Sequence, residues 1–241
     1  MSRVVIAETY RRHVTHGAYL AFLAFLTIIA LGSATFGRPG SGWPWLVAIF
    51  AAVAGCGPIG PEFSSGTLQL ILVKPVKRWE YLLSRVAGVV LAVWTAAILG
   101  AVCELVGRAV WNPGGGPATI IGRTLLNVMI DSVLTVSLLA FLGSITRAYF
   151  NIGIYVVCTI GFGVLGGTLG LIRQSHNAVG AFLTAHPAIE RGLAIIDQNL
   201  FPDLPPRLDR VWILMVLSNA AVALVLACLA FRRREVPYGA D

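Results

Sequence analysis

Six long apolar stretches, each close to the length of a helix that crosses a lipid bilayer, constrain what this chain can fold into. A membrane-spanning helix needs about 20 consecutive and mostly apolar residues. The predicted spans cover about residues 16–36, 43–60, 82–106, 120–142, 150–172 and 211–231. No long soluble segment separates them. We therefore predict an all-α membrane protein with six transmembrane helices in a single transmembrane domain, residues 1–241.

The composition favours lipid over water as the surroundings of this fold. Hydrophobic residues make up 57% of the chain and charged residues only 12%, whereas soluble domains carry about 25% charged residues. A soluble fold of this length could not hide so much apolar surface. The net charge of +7 is not gathered into a basic stripe with interleaved aromatic residues, so we expect no nucleic-acid partner.

The basic residues indicate the orientation, because cytoplasmic loops of membrane proteins are enriched in Lys and Arg. Six spans place both termini on the same side of the membrane. Eleven of the 18 basic residues fall on that side: Arg3, Arg11, Arg12, Lys74, Lys77, Arg78, Arg85, Arg147, Arg232, Arg233 and Arg234. Both termini are therefore predicted to be cytoplasmic, and residues 173–210 are predicted to form an outer loop.

Three segments near the span boundaries carry more detailed expectations. Residues 1–13 mix apolar and basic positions, which fits either a short helix in the inner interface or a frayed tail. Trp43 and Trp45 are predicted to be interfacial aromatic residues at the start of the second span. In the outer loop, apolar residues recur at helical spacing over 189–200, so an interfacial or re-entrant helix is expected there.

The connection between the second and third spans, residues 61–81, contains a short helix candidate. Thr67 to Val73 can form this helix, and its apolar side consists of Leu68, Ile71 and Leu72. Gly66 can cap its start, Glu62 lies upstream where negative charge suits a helix N-terminus, and Pro75 ends it. Physical chemistry alone leaves two interpretations: the helix packs on the membrane, or it docks into a groove of a cytoplasmic partner.

This connection resembles the cytoplasmic signature of permease subunits of ABC-2-type transporters. The matching residues are Glu62, Gly66, Thr67, Leu68, Leu72, Pro75, Val76 and Arg78. The likeness extends over nearly the whole chain: a basic N-terminal segment, six spans, this loop and an arginine-rich end. It implies a type V exporter-like ABC-2 permease fold. In that fold the loop carries a coupling helix, which fits into a cleft of a separate ATP-binding subunit.

The resemblance also implies partners and residue roles. Gly66, Thr67, Leu68 and Leu72 would form the docking helix, with Glu62 at its start and Pro75 and Arg78 after its end. Two ATP-binding subunits and a second copy of this chain would complete the transporter, in a bacterial inner membrane. The chain contains no GxxxxGK[ST] motif. We therefore expect no catalytic residue and no cofactor in this chain, with ATP and Mg²⁺ held by the partner.

Two functions remain open at this point. The first is a permease subunit, an exporter of a lipophilic or amphipathic substrate, since the spans contain few charges. The alternative is a non-transport module that anchors or assembles an ATPase-containing envelope or cofactor-maturation complex.

A polar stripe crosses the fourth span. Asn127, Asp131 and Thr135 follow one another at helical spacing, and a carboxylate at the bilayer centre costs about 2.5–3.5 kcal/mol on insertion scales. The stripe predicts either a lining of the translocation path or a hydrogen-bonded cluster between helices in which Asp131 is protonated or paired.

Other motifs indicate structure rather than chemistry. Glu104 and Arg108 stand at i and i+4 near the outer end of the third span, where a structural ion pair is expected. Glycines in the fifth span have the spacing that lets helices approach closely in lipid; they are Gly163, Gly166, Gly167 and Gly170. The histidines and cysteines lack the spacing of metal ligands, so we predict no metal site.

Overall fold

In the described part of the chain, the regular secondary structure is entirely α-helical. The computed structural model describes residues 2–36, 39–56, 77–111, 118–146, 150–161, 188 and 209–233. Its helices are α1 (Arg3–Val14), α2 (Gly17–Phe36), α3 (Trp43–Cys56), α4 (Arg78–Trp111), α5 (Ala118–Ile145), α6 (Phe150–Gly161) and α7 (Arg210–Arg233). The all-helical class predicted from the sequence is confirmed.

The helices differ in whether they can cross a membrane. Within the described ranges, α2, α4, α5 and α7 are long and apolar enough to do so, while α3 and α6 are shorter apolar helices. The second and fifth predicted spans continue beyond Cys56 and Gly161 into residues outside the described part of the chain. The chain is thus a multi-pass membrane protein, and its described part contains four candidate spans and two shorter apolar helices.

Helix α4 is longer than the sequence indicated. It has 34 residues, which corresponds to about 51 Å at 1.5 Å per residue, against about 30 Å for the hydrocarbon layer. Its first turn, residues 78–81, falls within the range predicted for the loop at 61–81. The helix therefore extends beyond the predicted span, 82–106, at both ends.

The chain divides into two compact units. The first consists of residues 1–152 and 204–241 and contains α1 to α5, the start of α6 and α7. The second consists of residues 153–203, of which the structure describes the remainder of α6 and residue 188.

Helix α4 lies at the centre of the first unit, and α1, α2, α3, α5 and α7 all pack against it. Its apolar side chains are buried together with those of α2 and α3, including Leu26, Val47, Val89 and Val93. A second cluster joins α5 to α7 through Leu134, Trp212, Val216 and Ala220. These apolar contacts fix the helices relative to one another and so set the positions of the polar side chains that the helices carry.

Candidate functional site

The predicted coupling helix lies outside the described residues. This holds for Glu62, Gly66, Thr67, Leu68, Leu72 and Pro75. The seventh predicted coupling residue, Arg78, is the first residue of α4. On either side of this loop the structure describes α3 as far as Cys56 and the start of α4 at Arg78.

The start of α4 is held by the N-terminal helix α1. Thr9 of α1 is fully buried, and it lies against Gly88 of α4, where an added Cβ would come within 2.6 Å of the Thr9 Cβ. The Ser2 amide donates a hydrogen bond of 3.0 Å to Oγ of Ser84. Small residues on α4 thus let α1 approach its backbone closely, and the frayed-tail interpretation of residues 1–13 is wrong.

A buried arginine strengthens this contact. Arg85 is 8% exposed; its Nε donates to the Tyr81 hydroxyl at 3.0 Å and its Nη1 donates to Oγ1 of Thr9 at 3.2 Å. On the α1 side, Nδ1 of His13 donates to the Thr9 carbonyl oxygen at 2.8 Å. Burial lowers the pKa of His13, and the nearby Arg85 and Arg12 charges act in the same direction. This shift favours the neutral form of the imidazole.

The last described turn of α3 is held by a residue that the sequence did not single out. Asn151, near the start of α6, is 1% exposed, and its Nδ2 donates to the carbonyl oxygens of Cys56 at 3.1 Å and Leu139 at 3.3 Å. Three helices, α3, α5 and α6, meet at this amide. A single asparagine next to an apolar run carries no motif, so only the tertiary contact shows its role.

The polar stripe lies on α5. Asn127 and Thr135 are buried, and Asp131 between them is partly buried. The Asp131 carboxyl group forms no hydrogen bond or ion pair with the residues of the described ranges. The three residues share one side of α5, but within the part of the chain that the structure describes they do not form a closed cluster around Asp131.

Glu104 and Arg108 lie at the opposite end of α4 from α1, and both are buried. The Arg108 Nη2 is 2.9 Å from Oε1 of Glu104, and its Nε donates to the same oxygen at 3.0 Å. The indole Nε1 of Trp43 donates to Oε2 at 2.7 Å, and the amide of Gly40 donates to Oε1 at 3.0 Å. Arg108 also donates to the Ser33 carbonyl oxygen at 3.1 Å.

This ion pair therefore joins α4 to the turn between α2 and α3. Gly40 has a φ of 74° in that turn, a conformation that glycine adopts at little cost, so its amide can point at the carboxylate. Of the two tryptophans predicted to be interfacial, Trp43 is fully buried against Glu104, whereas Trp45 is 76% exposed. The sequence showed the i, i+4 pair but not these two additional donors.

Some of the remaining predicted features lie in residues that the structure does not describe. Gly163, Gly166, Gly167 and Gly170 are not among the described residues. Within the described ranges, no group of three or more His, Cys, Asp or Glu side chains could hold a metal ion. The described part of the molecule thus offers polar groups that position helices, and one carboxyl group, Asp131, in the middle of a span.

These helices define an integral membrane protein with several apolar helices packed around one long helix. The model of the ABC-2 family transporter protein family matches residues 21–236, which is most of the chain. The chain belongs to this family, as the residues of the loop indicated, and is an ABC-2-type permease, the membrane component of an ABC transporter. No curated protein sequence matches it. Membership of the family implies an ATP-binding partner subunit.

Proposed function

We propose that this chain is the permease through which two separate ATP-binding subunits drive export of a lipophilic or amphipathic substrate, with two copies of the chain in each transporter. Family membership over residues 21–236 supports the transporter role. The observation that carries the coupling role is that both helices flanking the loop are tied to neighbours, α4 through Thr9 and Gly88 and α3 through Asn151. Displacement of the loop would therefore move the flanking helices and would not be absorbed by flexible residues.

The proposed route of force starts at the coupling helix. ATP binding closes the two ATP-binding subunits, and the helix formed by Gly66, Thr67, Leu68 and Leu72 moves with them. Glu62 precedes this helix, and Pro75 and Arg78 follow it. Because α4 starts at Arg78 and carries α1 on its first turns, motion of the loop is delivered to α1 and α4 together. The spans then tilt and switch access across the membrane.

The proposed topology has six spans. The short helices α3 and α6 become full spans when residues 57–60 and 162–172 extend them, and Gly163, Gly166, Gly167 and Gly170 lie in a close contact between helices. In this topology the N-terminus lies in the cytoplasm of a bacterial cell, which the basic residues of α1, Arg3, Arg11 and Arg12, support. The C-terminus, after Arg232 and Arg233, lies on the same side.

The sequence indicates which of the two subunits binds and hydrolyses ATP. Because the chain carries no phosphate-binding loop motif, ATP and Mg²⁺ are bound and ATP is hydrolysed in the partner subunit. This chain supplies the membrane path and, in our proposal, binds neither a cofactor nor nucleic acid. The substrate class is inferred from the apolar spans, which would expose a strongly charged cargo to desolvation.

A reconstitution experiment tests this function. The chain is purified with the P-loop ATPase that co-purifies with it and is placed in liposomes with fluorescent lipid-like and amphipathic dyes. Transport of a dye that depends on ATP, together with ATP turnover stimulated by that dye, supports the permease. A stable complex whose ATP turnover responds to no cargo favours the alternative, a membrane anchor for an ATPase-containing assembly. Absence of any ATPase partner contradicts both.

Asp131 provides a prediction about the translocation path, which we propose is lined by Asn127, Asp131 and Thr135. The Asp131→Asn substitution preserves shape and removes the ionisable group. It is expected to lower substrate-stimulated ATP turnover about 5-fold or more without loss of assembly with the partner. The measurement is ATP turnover in liposomes at saturating dye.

Ser132→Ala is the matched control for this prediction. Ser132 is also buried on α5, but its hydroxyl donates to the Met129 carbonyl oxygen of its own helix, so its removal should leave turnover near the wild-type value. Unchanged turnover in Asp131→Asn would remove Asp131 from the mechanism and assign the stripe to helix packing.

A further inference from the structure

One buried amide joins three helices directly beside the predicted coupling loop. Both hydrogen atoms of the Asn151 Nδ2 are used, because it donates to the Cys56 carbonyl at 3.1 Å and to the Leu139 carbonyl at 3.3 Å. The side-chain oxygen of Asn151 accepts from the Ile152 amide at 2.9 Å. This local bond orients the amide group, so the donors face α3 and α5.

The Cys56 carbonyl is the acceptor on α3. Cys56 is the last residue of α3 that the structure describes, and 95 positions of sequence separate it from Asn151. The hydrogen bond from Asn151 therefore ties this turn of α3 to the start of α6, and the bond to the Leu139 carbonyl ties both to α5.

Close packing reinforces the same point. At Gly55, an added Cβ would come 2.9 Å from Cδ1 of Leu139 and 3.4 Å from the Val136 Cα. The last described turn of α3 thus lies close to α5, next to the Leu139 side chain and the Val136 backbone. Contact at Gly55 limits approach of the two helices, and the bonds from Asn151 resist their separation.

We infer that Asn151 is a positioning residue for energy coupling: it makes the last described turn of α3 move together with α5 and the start of α6. Cys56 precedes the predicted coupling loop, residues 61–81, by only a few residues. When the loop is displaced, the displacement is then passed to α5 and α6 instead of being absorbed by bending or unwinding of α3. This inference rests on the proposed function, in which the loop receives force from the ATP-binding subunit.

The first experiment measures the tie itself and needs no ATPase partner. With Cys103, Cys158 and Cys228 replaced by alanine, Cys56 is the single thiol, and it is 5% exposed. The Asn151→Asp substitution removes both donors and places carboxylate oxygens against two carbonyl oxygens. It is expected to raise the rate of Cys56 labelling by a maleimide in detergent about 10-fold, through local opening of the last turn.

Ser137→Ala is the matched control for this labelling experiment. Ser137 is fully buried, but its hydroxyl donates to the Val133 carbonyl of its own helix, so labelling of Cys56 should not change. Asn151→Ala removes the donors without adding charge and gives the same comparison if the aspartate variant does not fold. Equal labelling rates in the Asn151 variants and the wild type would overturn the tie.

The second experiment measures coupling, with the ATP-binding subunit and a transported dye in liposomes. Asn151→Asp is expected to lower the number of dye molecules moved per ATP hydrolysed about 5-fold, within the range seen for residues along coupling networks. A role in stability alone would reduce the amount of folded protein but not this ratio. An unchanged ratio in a variant with faster Cys56 labelling would overturn the inference.

The two proposals fail in distinguishable ways. If the wild-type complex shows no ATP-dependent transport, the proposed function and the coupling role of Asn151 are both contradicted, while the Cys56 labelling still decides whether the tie exists. If the wild type transports and the Asn151 variants keep the wild-type ratio, only the inference about Asn151 is contradicted.

Discussion

Replacing Glu104 with alanine is expected to destabilise the protein by about 3–5 kcal/mol, the usual cost of removing one partner of a buried ion pair. Arg108 would remain buried without its carboxylate, and the Trp43 indole and the Gly40 amide would each lose an acceptor. The turn between α2 and α3 would also lose its attachment to α4. The measurement is reversible unfolding of the purified protein in mixed micelles of detergent and dodecyl sulfate.

Two variants serve as controls for the Glu104 prediction. Glu104→Gln keeps an acceptor for Trp43 or Gly40 but removes the charge that faces Arg108, so its loss of stability should be intermediate. Glu8→Ala changes an exposed glutamate of α1 and is expected to stay within about 0.5 kcal/mol of the wild type. A Glu104→Ala variant as stable as Glu8→Ala would show that the buried cluster does not hold this end of the bundle.

Replacing Leu72 with aspartate is expected to abolish the stimulation of ATP turnover by the permease, with a loss of about 10-fold or more. The proposed coupling helix is short, so few side chains can fill the cleft of the partner, and a charge in the centre of such an apolar contact costs about 2 kcal/mol or more. The spans are untouched by this change, so the protein should still fold. ATP turnover of the reconstituted complex and yield of the purified permease are measured together.

Leu72→Met tests whether shape and polarity explain the loss. Methionine conserves the volume and apolar character of leucine, so this variant should keep most of the stimulated turnover. Full stimulation in Leu72→Asp, at a normal yield, would mean that force does not enter through this helix.

The parts of the fold that the sequence predicted well are those set by apolar length. Spans near 16–36, 120–142 and 211–231 correspond to α2, α5 and α7, since about 20 apolar residues must be buried in lipid whatever their neighbours are. The boundaries of α4 were predicted less well. The described helix runs from Arg78 to Trp111. Residues that flank the apolar window continue α4 at both ends, and hydropathy gives no signal for them.

The parts that could not be predicted depend on contacts between distant residues. Asn151 and Cys56 are 95 positions apart, and neither belongs to a motif. Trp43 stands where an interfacial aromatic residue is expected. Its side chain is nevertheless buried, and its indole N–H donates to the Glu104 carboxylate. The spacing of Glu104 and Arg108 indicated an ion pair on one helix. Spacing along α4 cannot show that the turn between α2 and α3 is also bonded to this pair.

The most direct test of the central claim, that force reaches this protein through the loop between the second and third spans, is the side of the membrane on which the loop lies. Leu72→Cys is introduced into a variant without other cysteines and treated with a membrane-impermeant maleimide in spheroplasts and in inside-out vesicles. Gly115→Cys lies between the third and fourth predicted spans, a connection that six spans with cytoplasmic termini place outside, and it is the control for opposite exposure. We predict that Leu72→Cys is labelled only in inside-out vesicles and is protected by the bound ATPase. Labelling of Leu72→Cys in intact spheroplasts would contradict the account, because no ATP-binding subunit could reach the loop.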